Sequence, residues 1–187
     1  MIEDTQLWSE AGDKQEMAFY RRFASYLDTL LIKTGCSSSK IAIETNKQLF
    51  HAEDLSATYV RKIDLILRYN DRKSIDLCSN EWKRSKVTSE LKLKQQSKNL
   101  RVNASIMNSL HSFGASPSSL LTMDMIGLHG YIYQLTKVDD YFIATPYSVL
   151  VIPRRFSDIA YIENTLLALF KFKVNVFFVY KRTAALN

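Results

Sequence analysis

Asp64 stands among isoleucines and leucines in "KIDLILRYN", and seventeen positions later comes the tripeptide Glu81-Trp82-Lys83 in "SIDLCSNEWKRSK". A lone carboxylate in apolar surroundings is costly, so Asp64 calls for a cationic partner or a metal ion. Asp64 and Glu81, with the main-chain carbonyl of Trp82, make an oxygen set suited to a hard divalent cation, Mg²⁺ or Mn²⁺, with positions left for water and a phosphate oxygen. Such an ion promotes ionisation of an attacking water and offsets charge building on phosphorus, while Lys83 orients the nucleophile or stabilises the transition state. The competing account is a plain ion pair of Asp64 with Arg61, Lys62 or Lys83.

Glu-x-Lys alone carries little weight. With each residue at about 6 % of an average chain, roughly one such tripeptide arises by chance in a sequence of this length. Glu90-Leu91-Lys92 is a second copy, in a segment of helical period. What separates the two is the set of elements around them.

Residues 13–33 carry Met17, Tyr20, Phe23, Ala24, Leu27, Leu30 and Leu31 at helical spacing, with Glu16 at the edge of the stripe and Gly35 in a C-cap position. "KIAIET" predicts a short strand and "NKQLFHAEDLSA" a connection. "YVRKIDLILRY" predicts a strand with both faces covered, Asn70-Asp71 a turn, and "SIDLCSNEWK" an antiparallel return. Period 2 puts Ile75, Leu77, Ser79, Glu81 and Lys83 on one side of that return strand. A helix over about 88–113 follows, with Thr88 or Ser89 as N-cap and Gly114 just past its end. Its stripe reads Leu93, Gln96, Leu100, Asn103 or Ala104, Met107 and Leu110, so Gln96 occupies an inward position and needs a partner. "SLLTMDMIG", "GYIYQLTKV" and "DYFIATPYSVLVIP" predict three strands, the last two a hairpin turning at Asp139-Asp140. Ser157 opens a final helix with Ile159, Ile162, Leu166 and Phe170 at helical spacing; "FKVNVFFVY" fits helix and strand equally. The order gives an α/β (α+β) sandwich around a mixed sheet flanked by helices, within a single domain spanning 1–187.

The formal net charge of the 187 residues is +6. From Lys83 to Arg101 there are seven basic residues against Glu90 alone, which equals that whole excess. A local basic surface suits a polyanion such as nucleic acid; a solvated helix face is the plainer account. Cys36 and Cys78 are too few for a disulfide framework and lack metal-ligand spacing, and the acidic start "MIEDTQLWSEAGDKQ" is unlike a signal or transit peptide. A nuclear or cytoplasmic location inside the cell, not secretion, is expected. The most apolar window, "TLLALFKFKVNVFFVYK", is broken by Lys171, Lys173 and Asn175 and reads as core, with no membrane partner.

In the order of these elements and the placement of its acids, the chain resembles the PD-(D/E)XK nuclease superfamily. The resemblance covers residues 13 to about 126, with 127–187 as an extension of hairpin and helix. It implies a restriction-endonuclease-like αβββαβ core, an aspartate on the second strand (Asp64), (D/E)-x-K on the third (Glu81 and Lys83), a glutamate in the first helix (Glu16) and a polar residue in the second (Gln96, or its neighbours Gln95 and Lys94). No proline precedes Asp64, where Ile63 stands. "CSNEWK" and "KQQSKN" are also similar to stretches in proteins of early-diverging fungi. The implied activity is Mg²⁺- or Mn²⁺-dependent hydrolysis of DNA or RNA. Asp64, Glu81, the Trp82 carbonyl and Glu16 would hold the metal, Lys83 and Gln96 would assist catalysis, and Lys86, Lys94, Lys98 and Arg101 would track the nucleic-acid backbone. A non-catalytic nucleic-acid-binding module and a protein-interaction scaffold are the alternatives, and the C-terminal region offers a face for a homodimer or a protein partner.

Other residues point elsewhere less clearly. His51, His111 and His129 lie on different elements without ligand spacing. Gly127 and Gly130 in "GLHGY" mark a strand bend, not a phosphate loop. Tyr131, Tyr133 and Tyr141 either stack on bases or form core.

Overall fold

The computed structural model describes residues 16–32, 36–41, 63–70, 74–84, 86–153 and 156–185. The elements are α1 (Glu16–Leu31), β1 (Cys36–Ile41), β2 (Ile63–Asn70), β3 (Ser74–Lys83), α2 (Ser89–Ser112), β4 (Ser119–Ile126), β5 (His129–Val138), β6 (Tyr141–Val151), a 3₁₀ turn (Phe156–Tyr161) and α3 (Ile162–Ala184). The six strands lie in sequence order in one sheet. All neighbours are antiparallel except β3 and β4, which run parallel. Parallel neighbours require a crossover, and α2 supplies it.

The apolar run of β2 buries Leu65, Ile66 and Leu67, so both faces of the strand are covered, as its sequence requires. It pairs with β3 through Leu65 opposite Asn80 and Ile66 opposite Ser79, with a bulge beyond Leu67. β1 lies earlier than "KIAIET" suggests. It reaches only Ile41, and its other pairing residues include three serines, Ser37 to Ser39, opposite β2. Its ladder is held by backbone bonds to β2, so apolar alternation does not report it. Ile43, the stretch 46–57, residues 59–62, Asp71 and Gly35 lie outside the described residues.

Helix α2 has both ends closed by its own sequence. The Thr88 hydroxyl accepts from the Leu91 N–H at 3.3 Å, and Gly114, at φ 84°, lets the chain turn back so that Ala115 N–H reaches Leu110 O. β4 is buried at all six inner positions, as expected of a central strand with helices on both sides. Asp139, at φ 52°, makes the β5–β6 turn, and Gly127, at φ 60°, the β4–β5 turn. A Cβ at Gly130 would stand 2.1 Å from Met125 Sδ and 3.0 Å from Asp124 O, so a side chain there would require Met125 to move.

α2 covers one face of β3 and β4. On the other face α1 and α3 pack: Phe23 of α1 lies against Trp82, ring centroids 5.5 Å apart, and Asn175 of α3 accepts the Leu121 N–H at 2.9 Å. One hydrophobic cluster runs from Phe23 to Val179, and β5, β6 and α3 share it with the preceding elements. The chain from Phe156 to Tyr161 forms a 3₁₀ turn, so α3 starts at Ile162 rather than Ser157. Its inward residues are Thr165, Ala168, Leu169, Phe172, Val176, Val179 and Thr183, whereas Leu166 and Phe170 are exposed. Apolar residues encircle this helix, so period alone does not choose its buried side. "FKVNVFFVY" belongs to the helix. Among the described residues no helix is long and apolar enough to cross a membrane.

Candidate functional site

The ladder of β2 with β3 runs to Leu65 opposite Asn80, and just beyond it the Asp64 carboxylate takes the Trp82 N–H and lies near enough to Glu81 to raise its pKa. On the other side of β3, Glu81 is the parallel partner of Asp124 on β4. Directly opposed residues share a face, about 4.5–5.5 Å apart at Cβ across an antiparallel pair. Adjacent strands thus carry Glu81 and Asp124 side by side beneath the N-terminal half of α2, with Asp64 of the next strand beside Glu81.

Each is held differently. Asp64 is half-buried, and its Oδ2 accepts the Trp82 N–H at 2.9 Å. Glu81 is 1 % exposed, and its Oε1 lies 2.6 Å from the Lys98 ammonium. Asp124 is 3 % exposed; its Oδ1 accepts from Asn99 at 2.9 Å and from Gln95 at 3.4 Å. Lys83, two residues beyond Glu81 on the same side, donates to the Trp82 carbonyl at 3.1 Å. That carbonyl, expected to face a metal, therefore already accepts from the lysine.

Burial is the main reason Glu81 is pushed up to about 7. Asp64 adds to the rise, whereas Lys98 and Lys83 oppose it. Burial likewise raises Asp124 to about 6 against the pull of the Gln95 and Asn99 amides and of Lys98 and Lys83. Both acids hold protons better in the folded than in the unfolded chain. Each therefore contributes stability that is present below its unfolded pKa and lost as pH rises through its folded one. For Glu81 that window runs from 4.5 to about 7 and corresponds to about 3 kcal/mol. The stability of Glu81→Gln relative to wild type should therefore rise by about that amount between pH 4.5 and 7.5, read from denaturant midpoints. A difference independent of pH would contradict this assignment.

Below Glu81 and Asp124 the paired rows of β3 and β4 end, and side chains take over from the ladder. Asn103 Oδ1 accepts the Ser79 N–H at 2.8 Å and its amide donates to Ser79 O at 2.9 Å. Thr122 Oγ1 also reaches Ser79 O. Asn80 Oδ1 accepts the Met123 N–H at 3.0 Å, and the Asn99 amide reaches Met123 O and Thr122 Oγ1, each at 3.1 Å. This polar seam fixes α2 over the strands and sets Gln95, Lys98 and Asn99 above the carboxylates.

Among the described residues, Asp124 Oδ2 and Gln95 Oε1 are buried in the seam with no hydrogen-bond partner, as is the Ser79 hydroxyl. Neighbouring acceptors without a donor suit a hard cation, and in this respect the residues fit Mg²⁺ or Mn²⁺. Among the described residues no three His, Cys, Asp or Glu side chains close on one point. The fit is therefore to an ion held by one or two carboxylates and completed by water and phosphate, as is usual for Mg²⁺.

Gln96 is not the inward glutamine. Gln95 is buried and Gln96 half-buried, while Leu93 is 62 % exposed. The N-terminal half of α2 faces polar groups, so its apolar pattern points to the wrong side. Lys98, expected on the nucleic-acid backbone, instead pairs with Glu81. Lys86, Lys94 and Arg101 are exposed; Lys94 pairs with Glu90 at 2.6 Å and Arg101 donates to Ser97 O. Glu16 opens α1, but its side chain lies outside the described residues, as do Arg61, Lys62 and His51. Asp124 and Asn99 have no place in the sequence-based expectations, and Asn103 enters them only as one of two residues, with Ala104, for an inward position of α2. The signal available was Asp124 inside the otherwise apolar "SLLTMDMI", the same anomaly that marks Asp64. No family model, curated protein or solved structure matches the chain.

Proposed function

We propose that this chain is a Mg²⁺- or Mn²⁺-dependent nuclease that hydrolyses phosphodiester bonds of DNA or RNA. The observation that carries the proposal is the approach of Asp64 to Glu81 at the adjoining ends of neighbouring strands, with Lys83 beside them. The order α1-β1-β2-β3-α2-β4 supports it, since it is the αβββαβ order of the restriction-endonuclease-like core that the motif resembles. Gln95 supplies the polar residue of the second helix.

When bound, a divalent ion would supply Lewis-acid stabilisation of charge on the phosphate and a more acidic water. The chain's own groups do the rest. The Trp82 N–H fixes one oxygen of Asp64 and leaves the other for the site. The Lys83 ammonium, set against the Trp82 carbonyl, stands ready to orient a nucleophile or stabilise charge on phosphorus. Lys98 pairs with Glu81 and would have to leave it for a cation to be held there. Because Glu81 and Asp124 ionise near neutrality, cation affinity should rise between pH 5.5 and 8. The increase in melting temperature produced by 1–5 mM Mn²⁺, on the order of typical working concentrations for weak sites, should be small at pH 5.5 and larger at pH 8. An equal increase at both values would argue against these ligands.

The activity itself is tested by incubating purified protein and Mn²⁺ with single- and double-stranded DNA and RNA. Cleavage of at least one that is lost with a chelator is expected, and intact substrate in all four would overturn the proposal. The Lys98–Glu81 pair favours a second reading, a non-catalytic scaffold with a structural ion pair. Under that reading Glu81→Gln lowers stability at every pH and no polyanion binds. A non-catalytic nucleic-acid-binding module would instead lose affinity on Lys94→Glu and be indifferent to Glu81→Gln.

A further inference from the structure

The row of residues that begins with the carboxylates continues across the sheet. Asp124 on β4 is paired with Tyr131 on β5, and Tyr131 with Val149 on β6. All lie on the face that carries Glu81. Helix α2 covers the row as far as Asp124 and stops there, for Tyr131 is 43 % and Val149 54 % exposed. Tyr133, two residues along the same face, is half-buried, and its ring centroid is 6.3 Å from that of Tyr131. Burial, and after it the charges of Asp124 and Tyr131, holds the Tyr133 hydroxyl in its protonated form.

Two neighbouring aromatic rings on an open sheet face, beside acids that would hold a phosphate through a metal, have the makings of a base-stacking platform. Tyr131 stands two strand spacings from Glu81, about 10 Å, on the side away from Asp64. Tyr141 takes no part. It pairs with Val138 at the far end of the hairpin, seven residues or about 23 Å along β5 from Tyr131.

We propose that Tyr131, supported by Tyr133 and Val149, stacks on an unpaired base next to the phosphate held at Asp64 and Glu81, so that the substrate is single-stranded nucleic acid. The inference rests on the nuclease reading for the position of the phosphate. Its physical ground is that a base in a duplex already has both faces stacked, whereas an unpaired base offers one to a tyrosine ring. Stacking of this kind is tolerant of sequence.

The test separates binding from cleavage. Affinities of fluorescent 12-nucleotide single-stranded DNA, single-stranded RNA and the corresponding DNA duplex are measured without divalent metal, for wild type, Tyr131→Ala and Tyr131→Phe. Tyr131→Ala should weaken single-strand binding about 10-fold, leave duplex binding and the melting temperature unchanged, and be reversed by the retained ring of Tyr131→Phe. The two single-stranded arms decide which sugar is preferred. Equal losses on single strand and duplex, no loss on either, or no binding of any polynucleotide would each overturn the proposal. Single-strand binding that depends on Tyr131 without Mn²⁺-supported cleavage would uphold stacking and remove the nuclease reading. Cleavage indifferent to Tyr131→Ala, together with unchanged single-strand binding, would do the reverse.

Discussion

Glu81→Gln and Lys83→Ala should each lower Mn²⁺-supported cleavage about 10³-fold. Glu81→Gln keeps the shape of the side chain and removes the charge that would bind the cation. The carboxylate is 1 % exposed and costly to ionise, so the folded protein tolerates the amide, and at pH 7.5 the variant should be at least as stable as wild type. Lys83 is on the rim of the site, with its ammonium against the Trp82 carbonyl. Losing it would remove a cation from beside the proposed phosphate without opening a cavity in the core. The pairing of lost activity with retained stability is the informative outcome, measured as initial rates alongside denaturant midpoints. A rate within a few-fold of wild type for either variant would remove that residue from the chemistry. A loss of rate that tracks a loss of fold would assign it to structure.

The largest stability effect is expected at a residue that touches no substrate. Asn103 is fully buried and satisfies both the N–H and the carbonyl of Ser79 where β3 and β4 part. Its amide also lies 2.9 Å from Asn99 O, Asn99 Oδ1 and Thr122 Oγ1. Asn103→Ala leaves the Ser79 N–H without its acceptor and loosens Asn99, which holds Asp124. An unsatisfied buried group costs about 1–3 kcal/mol, so a loss of about 3 kcal/mol is expected with its neighbours included. At this chain length that is a fall in melting temperature of roughly 6–12 °C. Asn103→Asp, which keeps the acceptor for Ser79 N–H but loses the donor, should also destabilise. A neutral Asn103→Ala would mean that the seam does not hold α2 in place.

Much of the fold is legible in the sequence because its signals are local. Thr88 and Gly114 bound α2, Asp139-Asp140 turn the hairpin, and the β-branched run around Ile66 marks a covered strand. The boundaries of β3 to β6 follow from such signals. The misses in buried side share one cause. Where a segment faces polar groups or is apolar all round, hydrophobic period no longer tells inside from outside. Hence Gln95 rather than Gln96 is inward, and α3 buries Leu169 and Phe172 rather than Leu166 and Phe170. The candidate site was half legible. Asp64, Glu81 and Lys83 stand out by type and spacing along two consecutive strands. Asp124, Asn99 and Lys98 come to them across a parallel pairing and a crossover helix, contacts that join residues 17 to 43 positions apart. A long-range register of that kind has no local pattern in the chain.

The central claim is that Asp64 and Glu81 hold a divalent ion, and anomalous diffraction from a crystal soaked in Mn²⁺ at pH 8 tests it most directly. Expected is a peak about 2.0–2.6 Å from a carboxylate oxygen of each residue, with the Lys98 ammonium moved off Glu81. No peak, with Lys98 still paired to Glu81, would contradict it.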